Sequence, residues 1–197
     1  MKKVLLITFG IIIVVALAVL YSFVDKQTSY YDTAAAPADT VGEITSDKEI
    51  QLSFVAEENN MKSISLKFGT YGRTNTGSLK VTLLDASEAV VFEKNIDVQD
   101  IKDNAFRTFT FTPYVNSSNQ TFTLRISSSD GTPKNAVMIY TYGPQGDSTQ
   151  LLVNGEKQEQ SLAFAATYHN FDVETLIVML FFIAVIIAFI FFIFNFL

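Results

Sequence analysis

The sequence predicts an all-β domain, an antiparallel β-sandwich of the jelly-roll kind, flanked by two transmembrane α-helices. Three observations predict it. Apolar runs occupy both ends of the 197-residue chain. Between them hydrophobic residues recur with a period of two, the mark of strands with one buried face. Glycine-containing turn signals interrupt that alternation at short intervals, as short strands joined by tight turns require.

The first apolar run extends from Val4 to Val24 behind a basic tip, Met1-Lys2-Lys3. About 20 helical residues cross the roughly 30 Å hydrocarbon core of a bilayer, so the run is long enough to span. The positive-inside rule keeps Lys2 and Lys3 in the cytoplasm and sends the middle of the chain across. Ala16-Leu17-Ala18 has the small-x-small spacing of a signal-peptidase site. The apolar stretch nevertheless outruns the roughly 7 to 15 residues of a signal, and a retained anchor is expected.

The second run, Leu176 to Leu197, has Asn195 as its one strongly polar residue and reads as a second span. A tail exchanged for a lipid anchor would need a longer polar spacer than His169 to Glu174. Neither run carries a charged residue, which argues against ion or proton transport through them. Ala184 and Ala188, four apart on one helix face, allow close helix packing. The expected organisation is a cytoplasmic tip at 1–3, spans at 4–24 and 176–197, a linker at 25–42, an extracytoplasmic sandwich at 43–168 and a juxtamembrane segment at 169–175, all held in the cell membrane.

The linker contains Pro37 and lacks any helical or strand period; Tyr30 and Tyr31 within it suit an interfacial aromatic belt or plain solvent exposure. Alternation then begins. Ile50, Leu52 and Phe54 are followed by Ile64, Leu66 and Phe68, by Leu79, Val81 and Leu83, by Phe109 and Phe111, by Phe122, Leu124 and Ile126, by Val137 and Ile139, and by Leu162, Phe164 and Ala166. Eight or nine short strands are expected. Asn154-Gly155 signals a type I′ hairpin, here joining Leu151–Val153 to a strand that runs into Phe164. Val98 to Asp103 is the one place for a short helix.

Composition narrows the function. The net charge is −6, with no stripe of Lys or Arg, so nucleic acid is not an expected partner. Without cysteine there is no lipobox, palmitoylation or cysteine-zinc site, and a single histidine rules out a histidine-rich metal centre. Phosphate-loop, nucleophile-elbow and zinc-protease motifs are missing. His169 lies near the expected membrane edge, where a structural role fits better than a catalytic one. Asp85, Asp97, Asp100, Asp103 and Asp130 fall in turns, where aspartate bonds nearby backbone. No enzyme activity, metal or cofactor is expected. Acids at Glu43 to Asp47 and at Asp103-Asn104 have no calcium-loop spacing, and the sequons at Asn116 and Asn119 read as a polar loop.

The run Ile64 to Asp85, containing Tyr71-Gly72-Arg73-x-Asn75-x-Gly77, together with Asp103-Asn104, Phe109–Pro113 and Thr121–Ser127, resembles the extracytoplasmic β-sandwich of large bacterial multi-span proteins of cell-envelope polysaccharide and O-antigen assembly. The similarity covers mostly Glu49 to Ser127. In that family many further spans follow the sandwich, whereas this chain has two apolar runs, so no catalysis is implied. What the resemblance implies is a module that handles envelope glycan or docks onto a larger membrane glycosyltransferase or polymerase.

Sugar rings are held by aromatic faces with hydrogen-bonding side chains nearby. Tyr71, Arg73 and Asn75 form the best such cluster, with Tyr114, Tyr140 and Tyr142 as further exposed aromatics. The competing reading is that Gly69, Gly72 and Gly77 shape a turn in which Arg73 pairs with an acid such as Asp85. The expected function is a membrane-tethered module that binds or helps assemble envelope polysaccharide. The alternative is an accessory subunit docked through its helices. The partners are then the lipid bilayer and either a glycan or a larger membrane glycosyltransferase.

Overall fold

The computed structural model describes residues 2–34, 37, 39–143 and 148–196. It contains two compact units, Lys26–Tyr168 and a second made of Met1–Asp25 with His169–Leu197.

The first unit is built from two sheets. In chain order its strands are β1 (Phe23–Ser29), β2 (Asp39–Thr40), β3 (Glu49–Val55), β4 (Met61–Gly69), β5 (Ser78–Leu84), β6 (Val90–Asp97), β7 (Ala105–Tyr114), β8 (Thr121–Ser127), β9 (Met138–Tyr142), β10 (Thr149–Val153), β11 (Glu156–Lys157), β12 (Ser161–Leu162) and β13 (Phe164–Phe171). One sheet runs β1-β13-β4-β9-β12, with β2 on β9 and β7 on β4; the other runs β11-β10-β3-β8-β5-β6. The predicted alternation sets their register. Ile50 lies opposite Ile126, Leu52 opposite Leu124 and Phe54 opposite Phe122. In the facing sheet Ile64 pairs with Ala166 and Leu66 with Phe164, both antiparallel. All ten side chains are buried. Burying an aliphatic or phenylalanine side chain contributes about 1.5–3 kcal/mol, so this inner layer dominates stability.

Two turns behave as their chemistry requires. Asn154 and Gly155 have φ of 52° and 80°, the positive pair that a type I′ turn needs, and they close β10 onto β11. The strand beyond does not run on to Phe164. It stops at Lys157, and the chain resumes as β12 against β9 in the other sheet. The short helix at Val98–Asp100 is a 3₁₀ turn, capped where the Asp97 carboxylate accepts the Gln99 amide at 2.9 Å.

The expected linker is a correction. Residues 26–29 belong to β1, which borders β13, and the Tyr30 amide donates to the Phe164 carbonyl at 3.0 Å. Tyr30 is fully buried, with its ring 5.4 Å from Phe54 and 5.3 Å from Phe164 and its hydroxyl 2.6 Å from that of Tyr168. Phe-Val-Asp-Lys-Gln-Thr-Ser has no apolar alternation because an edge strand exposed on much of its surface needs none.

In the second unit, α1 (Lys2–Tyr21) and α2 (Val173–Phe196) are the two helices. Among the described residues one helix is long and apolar enough to cross a membrane, Val173–Ile193, with mean hydropathy 3.5; the apolar part of α1, Thr8–Tyr21, is shorter. The expectation of two spans is therefore not supported. At its C-terminal end α1 stops short of the expected Val24, because the Ser22 hydroxyl turns back to the Ala18 carbonyl at 2.7 Å while Phe23 and Val24 enter β1. At the other end α2 begins earlier than Leu176, because the Asp172 carboxylate accepts from Thr175 at 2.7 Å and from the Glu174 amide at 3.2 Å, a helix N-cap.

Candidate functional site

The loop from Thr70 to Gly77, between β4 and β5, holds the three residues that the sequence groups first. Its entry is pinned by Asp103, which accepts the Thr70 amide at 2.6 Å. Tyr71 and Gly72 both take left-handed backbone, with φ of 58° and 66°; for a bulky aromatic that conformation is strained. The Arg73 guanidinium lies 4.8 Å from the centre of the Tyr71 ring. Its Nε donates to Asn75 Oδ1 at 2.9 Å, and one Nη donates to the Ala136 carbonyl at 3.2 Å and pairs with Glu43.

Glu43 in turn accepts the Lys134 amide at 2.9 and 3.0 Å. That amide first, and Arg73 second, hold its carboxyl below the usual glutamate range. Asn75 is buried and donates to the Thr70 carbonyl at 3.2 Å. The Nε and one Nη of Arg73 and the side-chain amide of Asn75 are therefore engaged within the protein, and Tyr71 is 45% exposed. Asp85 is not the partner of Arg73. It closes its own turn by accepting from Ser87 and Ala89, which holds its carboxyl low.

Tyr114 stands apart from the other tyrosines. It is half-buried, edge-on to Phe122 at 5.2 Å, with its hydroxyl 3.4 Å from Asp85.

Tyr140 and Tyr142 belong to a different surface, the outer face of the first sheet. Since Ile64, Leu66 and Phe68 of β4 point into the core, Ser63, Ser65, Lys67 and Gly69 point out. Cross-strand register places Thr110, Thr108 and Phe106 of β7 beside the first three, Thr167 and Ala165 of β13 beside Ser63 and Ser65, and Met138 of β9 beside Gly69. The face is thus floored by small residues and bordered by rings. Tyr31 packs 4.7 Å from Tyr142 and 6.2 Å from Phe106. Burial is the main reason its hydroxyl is harder to ionise than usual.

Lys67 reaches into this group. Its Nζ is 5.2 Å from the centre of the Tyr140 ring, 5.9 Å from that of Tyr142 and 3.4 Å from the Tyr142 hydroxyl. Gly69 makes room for the border: a Cβ there would run into the Met138 methyl and come within 3.1 Å of the Tyr140 ring. Tyr142 is itself buried beneath its neighbours, contrary to its expected exposure, while Tyr140 and Tyr31 are half-buried and Phe106 is 44% exposed. Sequence reasoning missed Phe106, Lys67 and the role of Tyr31. The first two were within reach of strand parity: Phe106 is three residues from Phe109, and Lys67 lies between two core residues, so both must face outward.

Among the described residues no group of three or more metal-ligating acids and histidines converges. In the helical unit, His169 Nδ1 is 2.7 Å from Asp25, and Phe23 stacks on its ring. There too, a groove of about 440 Å³ is lined by Val14, Leu17, Ala18 and Tyr21 of α1 and by Met179 and Ile183 of α2. Ala184 and Ala188 are exposed and lie outside that contact.

No family model matches the chain, and no curated protein matches it. The envelope-assembly resemblance therefore gains nothing from those comparisons. Solved structures similar to it include the lectin binding domain of Lectinolysin, at 15% identity over 74% of this chain and 92% of that one, TM-score 0.32. Another is the CBM22-1 xylan-binding domain from Paenibacillus barcinonensis, at 13% identity over 67% and 83%, TM-score 0.31. A third is a ruminal GH26 endo-β-1,4-mannanase, at 7% identity and TM-score 0.33, of whose length this chain covers 26%. At such scores these likenesses carry no argument, and function has to be reasoned from the site itself.

Proposed function

We propose that the protein is a non-catalytic, membrane-tethered module that binds cell-envelope glycan on the outer face of its first sheet. The observation that carries this reading is the group of Tyr31, Phe106, Tyr140 and Tyr142 around Lys67, set beside the exposed Thr108. Rings at such a surface accept the flat faces of pyranoses, while the exposed Thr108, whose hydroxyl lies 2.8 Å from that of the buried Ser65, offers a hydrogen bond to a sugar hydroxyl. The helix α2 would anchor the chain in the cell membrane, with the sandwich on the extracytoplasmic side. The resemblance to envelope polysaccharide proteins agrees with that placement.

Binding of the full chain, in detergent micelles, to a glycan array tests the reading. Selective retention of envelope-type polysaccharides is expected, and an array without a single bound glycan would overturn it. A second reading is favoured by one observation, the exposed Ala184 and Ala188 face of α2. On that reading the helix docks onto a larger membrane glycosyltransferase or polymerase. Ala184→Leu should then abolish co-purification of a stoichiometric partner, and purification of the protein alone in mild detergent would count against it.

A further inference from the structure

We infer that the glycan taken by the outer face is acidic, and that Lys67 is the residue that reads its charge. This rests on the glycan-binding reading above and adds the class of ligand. Among the described residues Lys67 makes no ion pair, whereas Lys26, Arg73, Lys80 and Arg125 each lie against a glutamate. Its neighbours on this face are the uncharged Tyr140 and Tyr142 rings and, next to it in register, Phe106. The chain as a whole carries a net charge of −6, and what distinguishes Lys67 from other cations without an ion pair, such as Lys94 and Lys157, is that it lies against two aromatic rings.

The arrangement also positions the charge. Contact with two ring faces restrains the ammonium. An ammonium has three N–H donors and no acceptor, and the Tyr142 hydroxyl at 3.4 Å engages one at most. Two donors remain for a ligand oxygen beside rings that would carry the sugar. Stacking on the rings selects a pyranose, and the ammonium selects a carboxylate or phosphate borne on it. A neutral polysaccharide would leave the lysine without a counter-charge in a partly desolvated site, which disfavours it.

The test is a printed array on which uronate-, sialate- and phosphate-bearing glycans stand beside neutral glycans of the same ring skeleton, probed with the full chain in detergent micelles. Acidic members should bind on the order of tenfold more tightly than their neutral counterparts, as expected for a hydrogen bond to a charged group. Lys67→Met should close that gap without abolishing neutral binding, and Lys67→Arg should keep it. Salt should narrow the gap in the unmodified chain, a readout independent of whether any variant folds. The carboxylate and phosphate arms identify the source of the charge. Neutral glycans binding as well as acidic ones, a gap insensitive to salt, or a gap that survives Lys67→Met in a folded variant would overturn the inference and leave glycan binding standing. An array with no binding at all removes both.

Discussion

Two regions of this domain place a cation on an aromatic ring, and they are built for different purposes. In the β4–β5 loop Arg73 lies on Tyr71, but its Nε and one Nη are engaged by Asn75, Glu43 and Ala136. On the outer face of the first sheet Lys67 lies against Tyr140 and Tyr142 with no acid opposite it among the described residues. A cation–π pair is therefore not in itself a binding site. What separates a clasp from a site is whether the polar atoms are already satisfied, and satisfied groups gain little from a ligand.

The comparison can be broken from either side. The largest effect should come from Arg73→Ala, which leaves Glu43 without its ion-pair partner and the buried Asn75 carbonyl without its donor. A stability loss of about 1–3 kcal/mol is expected, seen as a lower denaturant midpoint, with glycan affinity unchanged. Tyr140→Ala should do the reverse: affinity falls by about 1 kcal/mol, the worth of an aromatic contact, as read by calorimetry, while the midpoint moves little. Gly69→Ala should weaken binding by a smaller factor, because the added methyl displaces Met138 and Tyr140. Its signature is altered near-ultraviolet signals from the tyrosines with a near-normal melting curve.

Acid should distinguish the two regions most gently. Glu43 has a folded-state value below the ordinary 4.5. Its stabilising contribution is complete above that ordinary value and is lost as pH falls through the lower folded one. Asp103, held low chiefly by the Thr70 amide, behaves in the same sense below 3.8. Between pH 7 and 5 the loop should stay intact, and amide exchange at Thr70 and Lys134 should quicken only below about pH 4.5.

The inner layer was legible in the sequence because burial on one face imposes a period of two, and Ile50 to Phe54 or Phe122 to Ile126 need nothing else to be placed. β1 was not legible. Its partner β13 supplies the pairing, and one buried residue, Tyr30, ties it to the core. The site was half legible. Tyr140 and Tyr142 stand out by residue type, yet their neighbours Tyr31, Phe106 and Lys67 come from distant segments that only strand register brings together. Arg73 looked available because Glu43 and Ala136 are far away in the chain, and Asn75 because its burial against Arg73 and Thr70 depends on how the loop folds. The end of α1 was misplaced for a similar reason, since Phe23 and Val24 are apolar enough for a helix and are taken by a strand.

On the proposed reading glycan binds on the outer face and not at the loop. Isothermal calorimetry of the full chain, titrated with the strongest array glycan, compares Tyr140→Ala with Tyr71→Ala directly. Loss of affinity for Tyr140→Ala with none for Tyr71→Ala is the predicted result; loss for Tyr71→Ala with full affinity for Tyr140→Ala would contradict it.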